Sequence, residues 1–174
     1  MAILNVYRNS YQQSRQWEDI IRKVWNDEAA INRLHCKCNP YNAETIIHSF
    51  KMIHSSYSNF NSILVHCFGI DFESVKNMET MVRIINEVLM LYGELFQIIA
   101  VLSKKDDRYA VTFVLNAVSY KTGRKFHDNN RAYIELRNHL RNLFQLEIRC
   151  SIAEPVLFTD GPAIGNYTNI LGKE

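Results

Sequence analysis

Residues 101–143 read VLSKKDDRYAVTFVLNAVSYKTGRKFHDNNRAYIELRNHLRNL, and this stretch decides the fold. Apolar side chains alternate with others from Val111 to Tyr120, as in a β-strand that buries one face. The next five residues, Lys121–Lys125 (KTGRK), surround Gly123 with cations and predict a turn. The residues that follow place apolar side chains at helical spacing. The stretch therefore predicts a strand, a basic turn and a basic amphipathic helix.

Further apolar runs predict the other strands of a sheet. These runs are short, contain β-branched and aromatic residues, and are bounded by turn-forming residues. Residues 27–41 show neither a strand nor a helix period, and we expect them to be irregular. The predicted strands cover Ile3–Tyr7, Ser62–Ile70, Leu95–Leu102, Tyr109–Ser119, Leu146–Cys150 and Val156–Phe158.

Helical spacing of apolar residues predicts four helices. An amide or hydroxyl side chain is placed to cap the start of three of them, and a polar segment precedes the first. Together with the strands, they predict an α+β protein of one domain, with a central, largely antiparallel sheet flanked by helices. The predicted helices are Arg15–Asn26, Ala43–Ser55 after Asn42, a segment from Ser74 or Asn77 to about Leu91, and a segment from Asn129 or Asn130 onward.

Length and composition are those of an ordinary globular domain. The chain has 174 residues, of which 47% are hydrophobic and 22% charged, and its net charge is +2. That charge alone does not predict a nucleic-acid partner, but Lys121–Arg149 holds seven Lys or Arg against three acidic residues. The first apolar run, Ala2–Val6, is too short for a signal peptide, and no run is long enough to cross a membrane. We therefore expect a cytoplasmic protein with four reduced cysteines and no membrane partner.

Three segments in a fixed order carry a family resemblance. They are NVYRNSY at residues 5–11, VHCFGI at residues 65–70 and FVLNAVSYKTGRKFH at residues 113–127. Together they resemble the relaxase domain of mobilisation proteins from plasmids and conjugative elements, in the branch with the VirD2-like fold. The resemblance implies a relaxase-like domain over residues 1–145 and a partly irregular C-terminal extension over 146–174. It also implies a reaction in which a tyrosine hydroxyl attacks a DNA phosphodiester beside a metal held by three histidines.

This sequence departs from the family at the residues that carry the reaction. The family pattern HxDxDHxHxHxVxN falls on residues 103–116, where Asp107, Val114 and the final residue Asn116 fit it and none of its histidines is retained. Lys23 falls at or near the position of the tyrosine nucleophile. Alanine cannot ligate a metal and lysine cannot act as a hydroxyl nucleophile, so we predict a degenerate active site without metal or other cofactor. The four histidine-pattern positions hold Ser103, Arg108, Ala110 and Thr112.

Cations after the second strand of the hairpin form a candidate nucleic-acid site. Lysine and arginine neutralise phosphates without reading sequence, and nearby asparagines can add hydrogen bonds. A solvated helix face is the alternative interpretation of the same residues. The candidate set is Lys121, Arg124, Lys125, His127, Arg131, Arg137 and Arg141.

Other cysteines and histidines give weaker signals. Cys36 and Cys38 beside a histidine suggest a zinc site, but a single C-x-C pair is more simply two loop thiols. His48 and His54 are expected to be surface or boundary residues of the second helix. His66 matches a strand histidine of the family and is expected to be a hydrogen-bonded core residue.

The resemblance leaves three functional hypotheses. The first is a catalytically inactive relaxase-like protein of a bacterial mobile element, which binds transfer-origin-type DNA, or RNA, as an accessory or regulator. The second is an interaction protein that binds a relaxosome component or a defence nuclease, for example as an anti-CRISPR inhibitor. The third is an active nicking enzyme that uses Tyr7 or Tyr11 as a non-standard nucleophile.

Overall fold

The structure is a computed structural model that describes residues 1–7, 16–57 and 63–153. Six strands and four helices lie in these ranges. In chain order they are β1 (Ala2–Tyr7), α1 (Gln16–Trp25), β2 (Ala30–Cys36), α2 (Ala43–Ser56), β3 (Val65–Phe72), α3 (Met78–Gly93), β4 (Ile98–Lys105), β5 (Arg108–Asn116), α4 (Asn130–Phe144) and β6 (Ile148–Ala153).

The strands form one sheet in the order β2-β4-β5-β3-β1-β6. Four of the five neighbouring pairs are antiparallel, and only β1 and β6 run parallel. The register also makes β5 and β6 run in the same direction, and they are joined by a crossover through α4, because consecutive parallel strands need a long connection. The prediction of an α+β domain with a largely antiparallel sheet flanked by helices is therefore confirmed.

Each face of the sheet packs against a different pair of helices. Neighbouring side chains of β5 point to opposite faces, so Phe113 and Val114 belong to different cores. Val114 packs in a core with Ile21 of α1 and other residues of α1 and α2, and we call this side the α1–α2 face. Phe113 packs in a core with Ile85 of α3 and Leu136 of α4, and we call that side the α3–α4 face.

Asparagine side chains begin three of the helices, as the sequence predicts. Asn42 forms a capping box with Thr45 at the start of α2. Asn77, rather than Ser74, caps α3, and its side chain accepts hydrogen bonds from two backbone amides. Asn129 caps α4 through the backbone N–H of Ala132. These caps satisfy amides that have no partner inside the helix.

The expectation of irregular structure over residues 27–41 is wrong, because residues 30–36 form β2. This strand lies at the sheet edge and pairs only with β4. Its odd-numbered residues Ile31, Arg33 and His35 are exposed, so the strand lacks the apolar run that sequence patterns detect. Pairing with the buried strand β4 decides the conformation instead.

The sheet extends past residue 145. The predicted strand over Leu146–Cys150 is present as β6, which pairs with the whole of β1. The strand predicted at Val156–Phe158 lies outside the described residues. Among the helices of the described ranges, none is long and apolar enough to cross a membrane.

Candidate functional site

The histidine-pattern positions lie mainly on the α1–α2 face of the β4–β5 hairpin. Arg108, Ala110 and Thr112 alternate along β5 and point to the same face as Val114. Ser103 of β4 pairs directly with Ala110, so it shares that face. The structure therefore brings three of the positions together on the sheet, with Arg108 exposed at its end.

Two polar residues that sequence patterns did not single out lie beside these positions. Asp71 of β3 pairs with Ala110, and Asn5 of β1 pairs with Gly69, the β3 partner of Thr112. The Asn5 Nδ2 atom donates a hydrogen bond to Asp71 Oδ2 at 2.8 Å. Burial raises the pKa of the Asp71 carboxyl above its ordinary value, although the Asn5 hydrogen bond opposes this rise. This grouping depends on the register of β1, β3 and β5, which cannot be read from any one segment of the sequence.

Gly69 makes room for the ring of Tyr7 on the same face. A Cβ atom at position 69 would lie 3.2 Å from the Tyr7 hydroxyl oxygen and 2.9 Å from the backbone oxygen of Val111. The Tyr7 hydroxyl therefore lies over β3, close to the level of Thr112. Tyr11, the other tyrosine considered as a nucleophile, lies outside the described residues.

The residues on this face do not fit the metal that the family uses. Three imidazoles are expected there, whereas the face offers the Asn5 amide, the Asp71 carboxyl and hydroxyls such as that of Ser103. The Ser103 hydroxyl is engaged, since it donates to Asp27 Oδ2 at 2.5 Å. Burial favours the neutral form of Asp71, which is a poor ligand for a cation. In the ranges that the structure describes, no three His, Cys, Asp or Glu side chains lie close enough to hold a metal ion.

Lys23 does not join this group of residues. It lies on the exposed side of α1, while Ile21 and Val24 are buried against the sheet. A side chain at position 23 therefore projects away from the α1–α2 face, and the structure separates it from Ala110 and Thr112.

Asn116 has a structural environment. It is fully buried, and its Oδ1 atom accepts hydrogen bonds from His54 Nε2 at 2.8 Å and from the backbone N–H of Val118 at 3.0 Å. Its Nδ2 atom donates to Gln97 Oε1 at 2.9 Å. The expectation that His54 is a surface or boundary residue is wrong, since it is fully buried and burial lowers its pKa. Its position toward the sheet depends on how α2 crosses β5, which helical spacing alone does not give.

His66 lies on the opposite face from Asn116. It is buried, its ring is 5.2 Å from that of Phe126, and its Nδ1 atom lies 3.5 Å from a carboxylate oxygen of Asp128. These contacts make His66 a core histidine, as expected from the sequence, although the 3.5 Å distance to Asp128 is longer than that of an ordinary hydrogen bond. His48 is exposed, and no disulfide links the four cysteines, all of which are in the described residues.

Residues 119–127, which we call the basic loop, form a compact turn after β5. The backbone N–H of Ser119 donates to Arg124 O at 2.9 Å, and the N–H of Gly123 donates to Ser119 O at 2.9 Å. The buried Ser119 hydroxyl also accepts hydrogen bonds from the N–H groups of Lys121 and Thr122. Gly123 has φ 69°, a conformation that other residues rarely adopt.

Contacts with two helices hold the basic loop against the body of the protein. The ring of Tyr57, at the end of α2, covers Gly123 so closely that a Cβ atom there would lie 2.3 Å from Tyr57 Cδ1. The Tyr57 hydroxyl donates to Tyr120 O at 3.3 Å. The Tyr120 hydroxyl reaches the end of α3, at 3.0 Å from Gly93 O and 2.8 Å from Glu94 O. The loop therefore has a fixed conformation that its own sequence and its neighbours both require.

The cations of the candidate nucleic-acid site fall into two groups. Lys121, Arg124, Lys125 and His127 are exposed on the basic loop. The ion pairs of the described residues do not include Lys121 or Arg124. The remaining cations lie on α4, where Arg131 pairs with a glutamate, Arg137 bonds to an asparagine, and Arg141 is exposed.

The histidine-pattern positions of β5 lie in its first half, and the basic loop follows its last residue, Asn116, which is four residues or about 13 Å beyond Thr112. The strand runs from Arg108 to Asn116, a distance of about 26 Å at about 3.3 Å per residue. In addition, α4 packs on the α3–α4 face, behind the sheet as seen from Ala110 and Thr112. The structure therefore places the candidate cations on a surface that is distinct from the degenerate site.

The described fold is a largely antiparallel sheet with two helices on each face, and the histidine-pattern positions lie on the α1–α2 face. Residues 20–146, well over half of the chain, match the family model for the MobA/VirD2-like relaxase nuclease domain. The chain therefore belongs to the relaxase family, and the resemblance carried by its sequence segments is confirmed. The NVYRNSY segment lies before the matched range. Comparisons with curated proteins and with solved structures gave no match.

Membership of this family makes the protein mobilisation nuclease-like and associates it with mobile elements and plasmid mobilisation. Relaxase domains act on DNA, so a nucleic-acid partner is supported at the level of the family.

Proposed function

We propose that this protein binds single-stranded or hairpin DNA through its basic loop and does not cleave it, as an accessory or regulator of transfer on a bacterial mobile element. The observation that carries the proposal is the anchored basic loop. Lys121 and Arg124 project from a turn whose backbone is fixed by Ser119, Gly123 and Tyr57.

A fixed loop suits phosphate binding because little conformational entropy is lost on association. Each cation that neutralises a phosphate releases counterions and adds affinity that does not depend on sequence. RNA carries the same phosphates, and we propose DNA because the family acts on DNA.

The helix α4 extends this surface away from the loop. Arg131 and Arg141 are ten residues apart and share one stripe of the helix with Asn138, about 15 Å from end to end. Phosphates of one strand that pass the basic loop can continue along this stripe. Arg131 contributes less than its charge suggests, because Glu135 lies 2.8 Å away.

The proposal that DNA is not cleaved rests on the α1–α2 face. Ala110 and Thr112 stand where imidazoles are expected, and Asp71 is the carboxyl nearest to them in register. These residues in place of the ligands, and Lys23 at or near the position of the tyrosine, remove two independent requirements of the family's reaction.

DNA binding is tested by fluorescence anisotropy with a labelled single-stranded oligonucleotide at several salt concentrations. The variant replaces Lys121, Arg124 and Lys125 with Ala. For single strands, the loss of three phosphate contacts reduces the steepness of the plot of log K against log salt concentration by about 2 units. Relative to the unmodified protein, the variant therefore loses about 100-fold more affinity at 0.1 M salt than at 1 M salt.

The matched control replaces three exposed lysines at the other end of the sheet, Lys76, Lys104 and Lys105, and so removes the same charge. We expect its slope to stay close to that of the unmodified protein. Equal slopes for the two variants would contradict the assignment of the basic loop as the binding site.

Cleavage is tested separately with the same oligonucleotide and Mn²⁺ or Mg²⁺ on a denaturing gel. We expect no covalent adduct between protein and DNA. An adduct that disappears in the Tyr7→Phe variant would show instead that Tyr7 replaces the family's nucleophile.

Exposed apolar residues at the end of α3 favour a second candidate function. Met90, Leu91 and Leu95 are 72%, 47% and 42% exposed, and such groups mark protein contacts. The protein would then bind a relaxosome component or inhibit a defence nuclease, as an anti-CRISPR protein does. A stable complex recovered with the tagged protein from its host, and lost in the Leu91→Ser, Leu95→Ser variant, would support this function over the first. Either function is exercised in the cytoplasm.

A further inference from the structure

An apolar groove of about 380 Å³ lies between the end of α3 and the first turns of α4. Aromatic rings form much of its wall. The ring of Phe126 lies 5.6 Å from that of Tyr92 and 5.7 Å from that of Phe96, both edge to face. Ala132 and Leu136 of α4 complete the opposite wall. An apolar groove with aromatic side chains in its wall offers a contact surface for a flat, apolar group.

The cations of the proposed DNA surface border this groove. Phe126 directly follows Lys125 of the basic loop, and Ala132 directly follows Arg131 of α4. Tyr120 fastens the loop to the end of α3 beside the same groove. A phosphate held at the rim therefore places its own nucleoside next to the aromatic wall.

Polar groups at the groove are compatible with a bound base. Glu135 in the wall forms an ion pair with Arg131 at 2.8 Å, and the carboxylate of Glu87 lies 2.7 Å from His139 Nε2. Burial and the charge of Glu135 raise the pKa of Tyr92, so its hydroxyl keeps its proton and can donate a hydrogen bond. The carboxylate of Glu135 can accept one from a base N–H, such as the N3–H of thymine.

We infer that this groove holds one unpaired nucleobase of the strand whose phosphates the basic loop binds. The inference rests on the proposed function and narrows it to nucleic acid with accessible bases, because a paired base cannot leave the stack at low energetic cost. Aromatic walls beside a basic surface are the usual arrangement for single-strand binding.

The test compares three labelled ligands of equal length with the full chain at one salt concentration. They are oligothymidylate, an abasic deoxyribose-phosphate strand with the same number of phosphates, and a blunt duplex. We expect oligothymidylate to bind about 5- to 100-fold more tightly than the abasic strand, which is the range for stacking of one base.

A variant that fills the groove, Ala132→Trp, is expected to remove this difference without changing the salt slope, because it leaves every cation in place. The control places a Trp at an exposed site of α2, on the other side of the sheet, as His48→Trp, and is expected to keep the difference. The abasic comparison needs no variant and therefore remains decisive if Ala132→Trp does not fold.

The outcomes separate the inference from the proposed function. If oligothymidylate and the abasic strand bind equally well and with the same salt dependence, the groove assignment is overturned and DNA binding by the basic loop stands. A groove that serves a protein partner would give this equal binding. Absence of binding to all three ligands would overturn both.

Discussion

The buried amide of Asn116 allows a quantitative prediction. Replacing it with Ala removes three hydrogen bonds and leaves His54 Nε2, the Val118 N–H and Gln97 Oε1 without their partner. His54 is fully buried and Gln97 is 5% exposed, so water does not easily take the place of the amide. At about 1 kcal/mol for each bond, and more for each buried group left unsatisfied, we expect the free energy of unfolding to fall by roughly 3 to 5 kcal/mol.

The loss is measured by urea unfolding at pH 7.5, followed by circular dichroism and analysed with a common m-value. The matched control is Asn138→Ala, because Asn138 is an exposed residue of α4 whose amide bonds to its neighbour Arg137. We expect the control to change the stability by about 0.5 kcal/mol or less. A loss below about 1 kcal/mol for Asn116→Ala would refute the buried network.

A double-mutant cycle locates the interaction within the network. His54→Ala and Asn116→Ala each break the same 2.8 Å hydrogen bond, so their effects should overlap. We expect a coupling energy of about 1 to 3 kcal/mol. Strictly additive losses would show that the two side chains do not interact.

Three further predictions concern the pH dependence, the basic loop and the metal ligands. Burial lowers the pKa of His54 below its ordinary value of 6.5, so in acid the unfolded state binds more protons than the folded state. The urea midpoint should therefore fall as the pH drops through 6.5, and it should fall less in a His54→Gln variant. Gly123→Ala should reduce stability by at least about 1 to 2 kcal/mol, because φ is 69° there and because the added Cβ would lie 2.3 Å from Tyr57 Cδ1. It should also weaken DNA binding, and an unchanged urea midpoint would contradict the turn conformation. Restoring histidines at Ser103, Ala110 and Thr112 should make the melting temperature rise with Mn²⁺ or Ni²⁺, since these positions share one face; no metal-dependent rise would contradict that placement.

Short-range patterns predicted most of the elements correctly. The alternation in β5, the helical spacing of α3 and the caps Asn42 and Asn129 all depend on residues within one or two turns of the chain. The local sequence pattern does not predict the edge strand β2, because this strand depends on contacts with a distant segment. Its conformation comes from hydrogen bonds to β4, about seventy residues away, and its own side chains are half exposed.

The candidate site was only partly accessible to sequence reasoning. The family pattern locates the histidine-pattern positions, and the structure groups Ser103, Ala110 and Thr112 on one face. The family pattern did not indicate Asn5 or Asp71, because the position of these residues beside Ala110 and Thr112 depends on the register of three strands. Nor did it indicate the groove beside Phe126, because that groove exists only where α3 and α4 meet.

The sequence by itself determined which chemical groups the protein has: a relaxase framework, a cationic turn around Gly123, and alanine and threonine at positions of the family's imidazole ligands. These are properties of residue identity and local spacing. Only the tertiary structure decided where the groups lie. Pairing of distant strands and packing of helices on opposite faces place Ala110 and Thr112 on the face of the sheet opposite to α4, and they bury His54 against Asn116. Such positions depend on contacts between segments far apart in the chain, which no local pattern encodes.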